Sequence, residues 1–291
     1  MNTLAPDSIS LGDRETIDLA GAPRRGPAGR WRGVVRSGVV RLLSIAACLG
    51  LWQLASTKQL EIGFLRFANV PPPTEVASAG VRLAQSPKLI SHVRSSVLRI
   101  FAGFAIAAAL AVPLGMIIGR SRVAGNLLLA PLEVLRPIPA VAWIPLAILM
   151  FATAEQSMIY ITFIGAFFPI LLSTVHGVES LDRKLVFASM TLGAGRLAVF
   201  REVILPGALP SIVTGLSIGM GTSWFSLVTA EMISGQFGIG YYTWEAYTLQ
   251  NYPDIVLGMI TIGLLGMLSS AIIKQLGSRL MPWFQIGGEV T

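Results

Sequence analysis

The sequence predicts an all-α, polytopic membrane protein with six transmembrane helices, and three observations carry that prediction. Charge is scarce: Asp, Glu, Lys and Arg make up 13% of the 291 residues, about half of the ~25% usual in a soluble domain. Apolar residues make up 53% of the chain and the mean hydropathy is +0.69, so there is too little charge to cover a water-facing surface of this size. The apolar residues also gather in six stretches, roughly 39–56, 96–118, 138–154, 158–175, 208–230 and 255–273. Each lies near the ~20 residues that cross a hydrocarbon core.

Residues 1–38 form a polar tail without apolar periodicity, which reads as disordered. The charged lead is too long for a secretory signal, and the run after it is long enough to span. Ile45-Ala46-Ala47-Cys48 is similar to a lipoprotein cleavage box, but Arg41 interrupts the short apolar run before it, so Cys48 reads as a span residue. As the chain's one cysteine it excludes an internal disulfide. The first span and an outer loop take 39–91, a transmembrane core takes 92–275, and 276–291 is left as a C-terminal tail. The third and fourth stretches are separated only by Ala154-Glu155-Gln156-Ser157, which predicts a tight hairpin. Arg136-Pro137-Ile138-Pro139 leads into the third stretch; prolines lack an N–H and suit a helix start. Glu133 and Arg136, three apart, read as a structural pair.

Basic residues set the orientation. With the N-terminus in the cytoplasm, six spans return the C-terminus there, and 16 of the 22 Lys and Arg fall on the cytoplasmic side. The outer segment 231–254 holds Glu231, Glu245 and Asp254 and no basic residue. That asymmetry follows the positive-inside rule, and the net charge of +7 fits an anionic membrane face rather than nucleic acid. The orientation expected has both termini cytoplasmic.

Several chemistries are excluded. The histidines, His92 and His176, fall at span ends on opposite sides of the membrane, where they cannot share a metal. None of Lys58, Lys88, Lys184 and Lys274 follows a glycine, so there is no phosphate-binding G-x-x-x-x-G-K-[ST] loop. No charge sits at a span centre, where self-powered carriers often keep one. Neither a cofactor, a metal nor a catalytic residue is expected.

The most informative segment is 178–207. Leu181, Leu185, Ala188 and Leu192 recur at helical spacing on one face, with Ser180 and Asp182 where an N-cap and first-turn acid belong. Gly193 and Gly195 stop this helix. A second helix is predicted with Leu197, Phe200 and Ile204 on one side and Arg196 and Arg201 exposed. Pro206 and Pro210 lead into the fifth span. This helix–turn–helix either docks into a partner or rests on lipid headgroups.

These residues resemble the permease subunits of bacterial ABC importers with the type I transmembrane fold. That family's signature is E-A-A, three residues, Gly, nine residues, then I-x-L-P; the chain reads Phe187-Ala188-Ser189, Gly193 and Val203-Ile204-Leu205-Pro206 at the same spacing. Phe187 replaces the Glu and Val203 the Ile. The resemblance covers most of the chain from about residue 70. Val70 to Val76, His92 to Gly119 and Arg136 to Leu146 (RPIPAVAWIPL) are similar to the nitrate, sulfonate, taurine and bicarbonate branch.

The resemblance implies a coupling loop seated on a cytoplasmic ATPase, built from Leu185, Phe187, Ala188, Ser189, Leu192, Gly193, Leu205 and Pro206. It implies two such ATPase subunits, a periplasmic solute-binding protein and a second permease copy in a homodimer within the lipid. The protein itself is then no enzyme. Candidate pathway residues are Trp143, Thr222, Ser223, Ser226 and Thr229, although helix packing explains the hydroxyls equally well. Glu231 is expected to pair with Arg94 or Arg99. The implied cargo is a small anion. The rival readings are a secondary carrier or channel working alone, and a scaffold that binds a cytosolic partner.

Overall fold

The computed structural model describes residues 27–63, 65–234 and 237–283. The chain divides after Trp52 into two compact units. In the first, helix α1 (Pro27–Thr57) begins; its stretch from Gly38 is long and apolar enough to span a membrane, and Cys48 is exposed on it. The first 26 residues of the expected tail lie outside the described residues, and helix already runs over 27–38.

The second unit is helical apart from a two-residue antiparallel pairing of Glu61–Ile62 with Leu65–Arg66. Helix α2 (Pro73–Ala84) precedes α3 (Pro87–Arg120). Short helices α4 (Arg122–Ala124), α5 (Ala130–Leu135) and α6 (Ile144–Met150) follow. Helix α7 (Ala154–Glu179) leads to α8 (Arg183–Thr191) and α9 (Arg196–Val199). Last come α10 (Leu205–Ser234), α11 (Ile239–Thr248) and α12 (Tyr252–Leu280).

Among the described residues, five helices are long and apolar enough to cross a membrane, and a bent pair makes a sixth crossing if counted as one. The bend corrects the expected third span. Helix covers only Ala140–Met150 of the expected 138–154, and it makes a crossing only with Arg122–Leu135, which it meets at 83°. Pro137 and Pro139 remove two N–H donors at the break and push their predecessors out of helical conformation. The hairpin expected at 154–157 is instead the first turn of α7, capped by the Thr153 hydroxyl accepting from the Gln156 N–H at 3.3 Å. Glu133 and Arg136 form no ion pair. The expected C-terminal tail starts late, because α12 continues to Leu280.

Helix α7 is the centre of the unit, packed between α3 and α10. Small residues make that possible. On α3, Gly103, Ala107, Ala111, Gly115 and Gly119 recur every four residues; a Cβ on Gly103, Gly115 or Gly119 would lie 2.7–2.8 Å from Thr162, Thr174 or Val178 of α7. On α10, a Cβ on Gly215 or Gly219 would meet Ser173 at 2.5 Å or Ile170 at 2.8 Å. Lipid chains are as apolar as leucine, so close backbone approach and dispersion, rather than water exclusion, hold such helices together. Gly103→Leu is therefore expected to cost about 1–3 kcal/mol through overpacking. Gly263→Leu, at a site with nothing within 4 Å, should stay within about 0.5 kcal/mol of the parent. Unfolding in detergent micelles checks the pair, and equal losses would refute the packing account.

Candidate functional site

Three features stand out, two near the C-terminal end of α7 and one near its N-terminal end.

The first is the hairpin between α7 and α10. Asp182, not Ser180, caps α8: its carboxylate accepts from the Lys184 N–H at 2.9 Å. Ser180 instead ends α7. The turn after α8 is a Schellman motif. Gly193 N–H donates to Met190 O at 3.0 Å and Ala194 N–H to Ser189 O at 3.0 Å, with Gly193 in the left-handed region at φ +87°. One side of the hairpin is anchored, since Leu181, Val186 and Ala194 pack on the cluster of Val199, Ile204 and Ala208. The other side is bare: Leu185, Phe187, Ala188 and Leu192 are exposed, Leu192 by 88%. Ser189 is half-buried with its hydroxyl on Val186 O, and Leu205 and Pro206 are half-buried at the start of α10.

The second helix of the hairpin departs from expectation. A π-turn over Phe200–Ile204 adds a residue between α9 and α10, shifting the helical phase. Val199 and Ile204 become the buried positions, Phe200 is half-buried, and Leu197 is left 67% exposed. Arg196 and Arg201 are exposed as expected.

The second feature is a groove of about 550 Å³ along α7 and α10. Arg136, Ser173, His176, Thr222, Phe225 and Ser226 are among its walls. Thr222 is half-buried, its hydroxyl donating to Gly165 O at 2.7 Å. Ser226 donates to Thr222 O at 2.8 Å. Ser223 is buried against the same helix, with its hydroxyl on Thr162 O at 3.2 Å, and is not on the groove's walls. Thr229 is half-buried and donates to Phe225 O. Trp143 packs on the cluster containing Met158 and Trp224, with its indole N–H buried and unpartnered. The structure thus brings Thr222 and Ser226 together at the groove and leaves Ser223 and Trp143 off its walls. His176, which sequence reasoning set aside as a helix-end residue, stands in it.

The third feature is a buried charge network. Arg99 of α3 donates to Glu155 of α7 at 2.7 Å and to Glu231 of α10 at 3.0 Å, and also to Phe237 O. Glu231, fully buried, accepts from Ser96 at 2.7 Å and from the Gly240 N–H at 2.9 Å. The Ile239 N–H donates to Ser96 and the Gly238 N–H to His92 Nδ1. The first N–H groups of α11 are thereby satisfied by side chains of α3 and α10. A side chain on Gly238 would strike the Glu231 carboxylate. Nearby, burial followed by the Asp254 carboxylate raises the Tyr242 phenol above its usual range. No group of His, Cys, Asp and Glu suited to a metal occurs among the described residues.

Residues 111–285 match the model of a family described as binding-protein-dependent transport system inner membrane component. A putative aliphatic sulfonates transport permease protein of Escherichia coli is 36% identical over 82% of this chain and 90% of its own. A nitrate import permease protein of a Synechocystis strain is 32% identical over 82% of this chain and 88% of its own. An inward-facing structure of the MetNI methionine ABC transporter superposes with a TM-score of 0.54 at 22% identity, over 67% of this chain and 95% of that one.

Proposed function

The chain belongs to the binding-protein-dependent transport system inner membrane component family, a multi-pass ABC transporter permease subunit, and from that premise we propose that it forms the path for a small anion driven by a separate ATPase. The family sets aside the lone carrier or channel. The observation that carries the coupling role is the hairpin of Leu185, Phe187, Ala188 and Leu192, apolar and bare outside while anchored inside by Val186 and Leu181. An apolar face held rigidly at one end of the bundle suits a partner cleft that moves as a body. Ser189, Leu205 and Pro206 frame this element, and the Gly193 turn fixes its projection.

Nitrate and sulfonate permeases among the relatives support an anion of the nitrate, sulfonate, taurine or bicarbonate class. The path is assigned to the α10 face carrying Thr222, Ser226 and Thr229, with Ser223 and Trp143 supporting it from behind. Two copies of the chain enclose the path, two ATPases bind the α8 hairpins from the cytoplasm, and a periplasmic binding protein meets the end that holds α11. Both chain termini are cytoplasmic, as the basic residues indicate.

Purification of the tagged protein from its native membrane is expected to bring down a P-loop ATPase at near-equal stoichiometry. The complex in liposomes should hydrolyse ATP faster when its binding protein is loaded. A protein that emerges alone and transports down an ion gradient would overturn the proposal.

A further inference from the structure

We infer that Arg136 and His176 form an anion-holding station in the groove between α7 and α10, an assignment that rests on the permease reading above. Both side chains line that groove, although 40 residues of sequence separate them. They come from different elements: Arg136 from the proline break after α5, His176 from the last turns of α7. The groove's described walls contain no carboxylate. Arg136 is not neutralised by Glu133 or by any other acid among the described residues.

The neighbouring groove between α3 and α8, about 740 Å³, differs in this respect. It carries Arg120, Arg122 and Arg183, but Glu179 stands with them. That groove carries the larger net positive charge, three arginines against one glutamate, but it is lined by the α8 hairpin and by no residue of the α10 face.

The donor set suits a small oxyanion. A guanidinium presents parallel N–H groups that match two oxygens of a planar or tetrahedral anion. An imidazole offers an N–H in either protonation state. Ser173, on the same face of α7 three residues before His176, has a hydroxyl without a partner among the described residues. Thr222 borders them from α10. Arg136 reaches the groove from the end of α5, just before the break at Pro137 and Pro139.

The test uses the full complex of permease, ATPase and binding protein in liposomes, with uptake of nitrate, methanesulfonate and taurine read per ATP hydrolysed. Arg136→Gln and His176→Gln should each lower uptake roughly tenfold, the scale of one lost charge-assisted contact. Arg136→Lys, which keeps the charge but loses the two-pronged fork, should fall between the parent and Arg136→Gln. Arg122→Gln is the control, because it removes a basic residue of the neighbouring groove; it should stay within about twofold of the parent. Unchanged uptake by Arg136→Gln and His176→Gln would overturn the station while leaving the permease intact. An equal fall in Arg122→Gln would assign the effect to general charge and also overturn it. So would a parent complex that imports only solutes lacking an oxyanion group. A chain that binds no ATPase would sink the permease reading itself, a separate result.

Discussion

Arg99→Met is expected to be the most destabilising single change in the protein, by about 3–5 kcal/mol, the usual cost of breaking a buried ion pair from one side. Arg99 has a side chain 4% exposed and faces Glu231, which is fully buried. Without the guanidinium, the buried Glu231 carboxyl loses its counter-ion and is left with only Ser96 and the Gly240 N–H as partners. The Phe237 carbonyl loses its donor as well. Glu155 behaves differently, because its side chain is 50% exposed. Water solvates whatever is left there, and Glu155→Gln should cost less than about 1 kcal/mol. Unfolding in detergent micelles gives both numbers. Comparable losses for the two variants would show that the network is not organised around Glu231. Because α3, α7, α10 and the start of α11 all meet at Arg99, the methionine variant should also expose the 238–248 segment to proteolysis before the rest of the chain.

The second large effect is on coupling. Gly193→Pro should reduce binding-protein-stimulated ATP hydrolysis and transport at least tenfold while the transmembrane bundle stays folded. Gly193 lies at φ +87°, whereas proline holds φ near −65°, and the Gly193 N–H that donates to Met190 O is lost as well. The Schellman turn then opens, and Leu185, Phe187 and Leu192 no longer project in a fixed direction. Gly193→Asn provides the counter-test. Asparagine tolerates the left-handed conformation, so that variant should retain most of its coupled transport. No Cβ neighbour lies within 4 Å of Gly193, so crowding does not confuse the comparison. Full activity in the proline variant would remove the coupling role from the hairpin.

The transmembrane character was legible because hydropathy is a property of composition. Every span carries its own apolar run, and no distant residue is needed to recognise it. The Gly193 turn was equally legible, since helix capping is decided by residues within five positions of each other. Phase was harder. A regular 3.6-residue period put Leu197, Phe200 and Ile204 on one side, and one inserted residue in the π-turn at Phe200–Ile204 split that side, burying Val199 and Ile204 and leaving Leu197 exposed. The third span was read over 138–154 with the prolines at its start; the helix there ends at Met150 and completes a crossing only together with Arg122–Leu135, which it meets at 83°. The hydroxyls of α10 were ambiguous in sequence because a serine facing a neighbouring carbonyl and one facing a groove look alike until the neighbour is placed. Ser223 and Thr222 both donate to carbonyls of α7, and of the two only Thr222 also borders the groove, with Ser226 beside it.

The sequence by itself determined that this protein lives in a membrane, which of its segments span, and that a glycine-stopped amphipathic hairpin projects from one end. Those are local properties, set by side chains within a turn or two of each other. The sequence left Arg94 and Arg99 as alternative partners of Glu231; only the tertiary structure chose Arg99, 132 residues away, added Glu155 to the pair, and placed Arg136 in a groove with His176 rather than on a helix turn with Glu133. The physical reason is the packing of α3 and α10 on α7. Glycine and alanine at four-residue intervals carry almost no hydropathic signal, yet they bring the backbones close enough to set which distant charges meet.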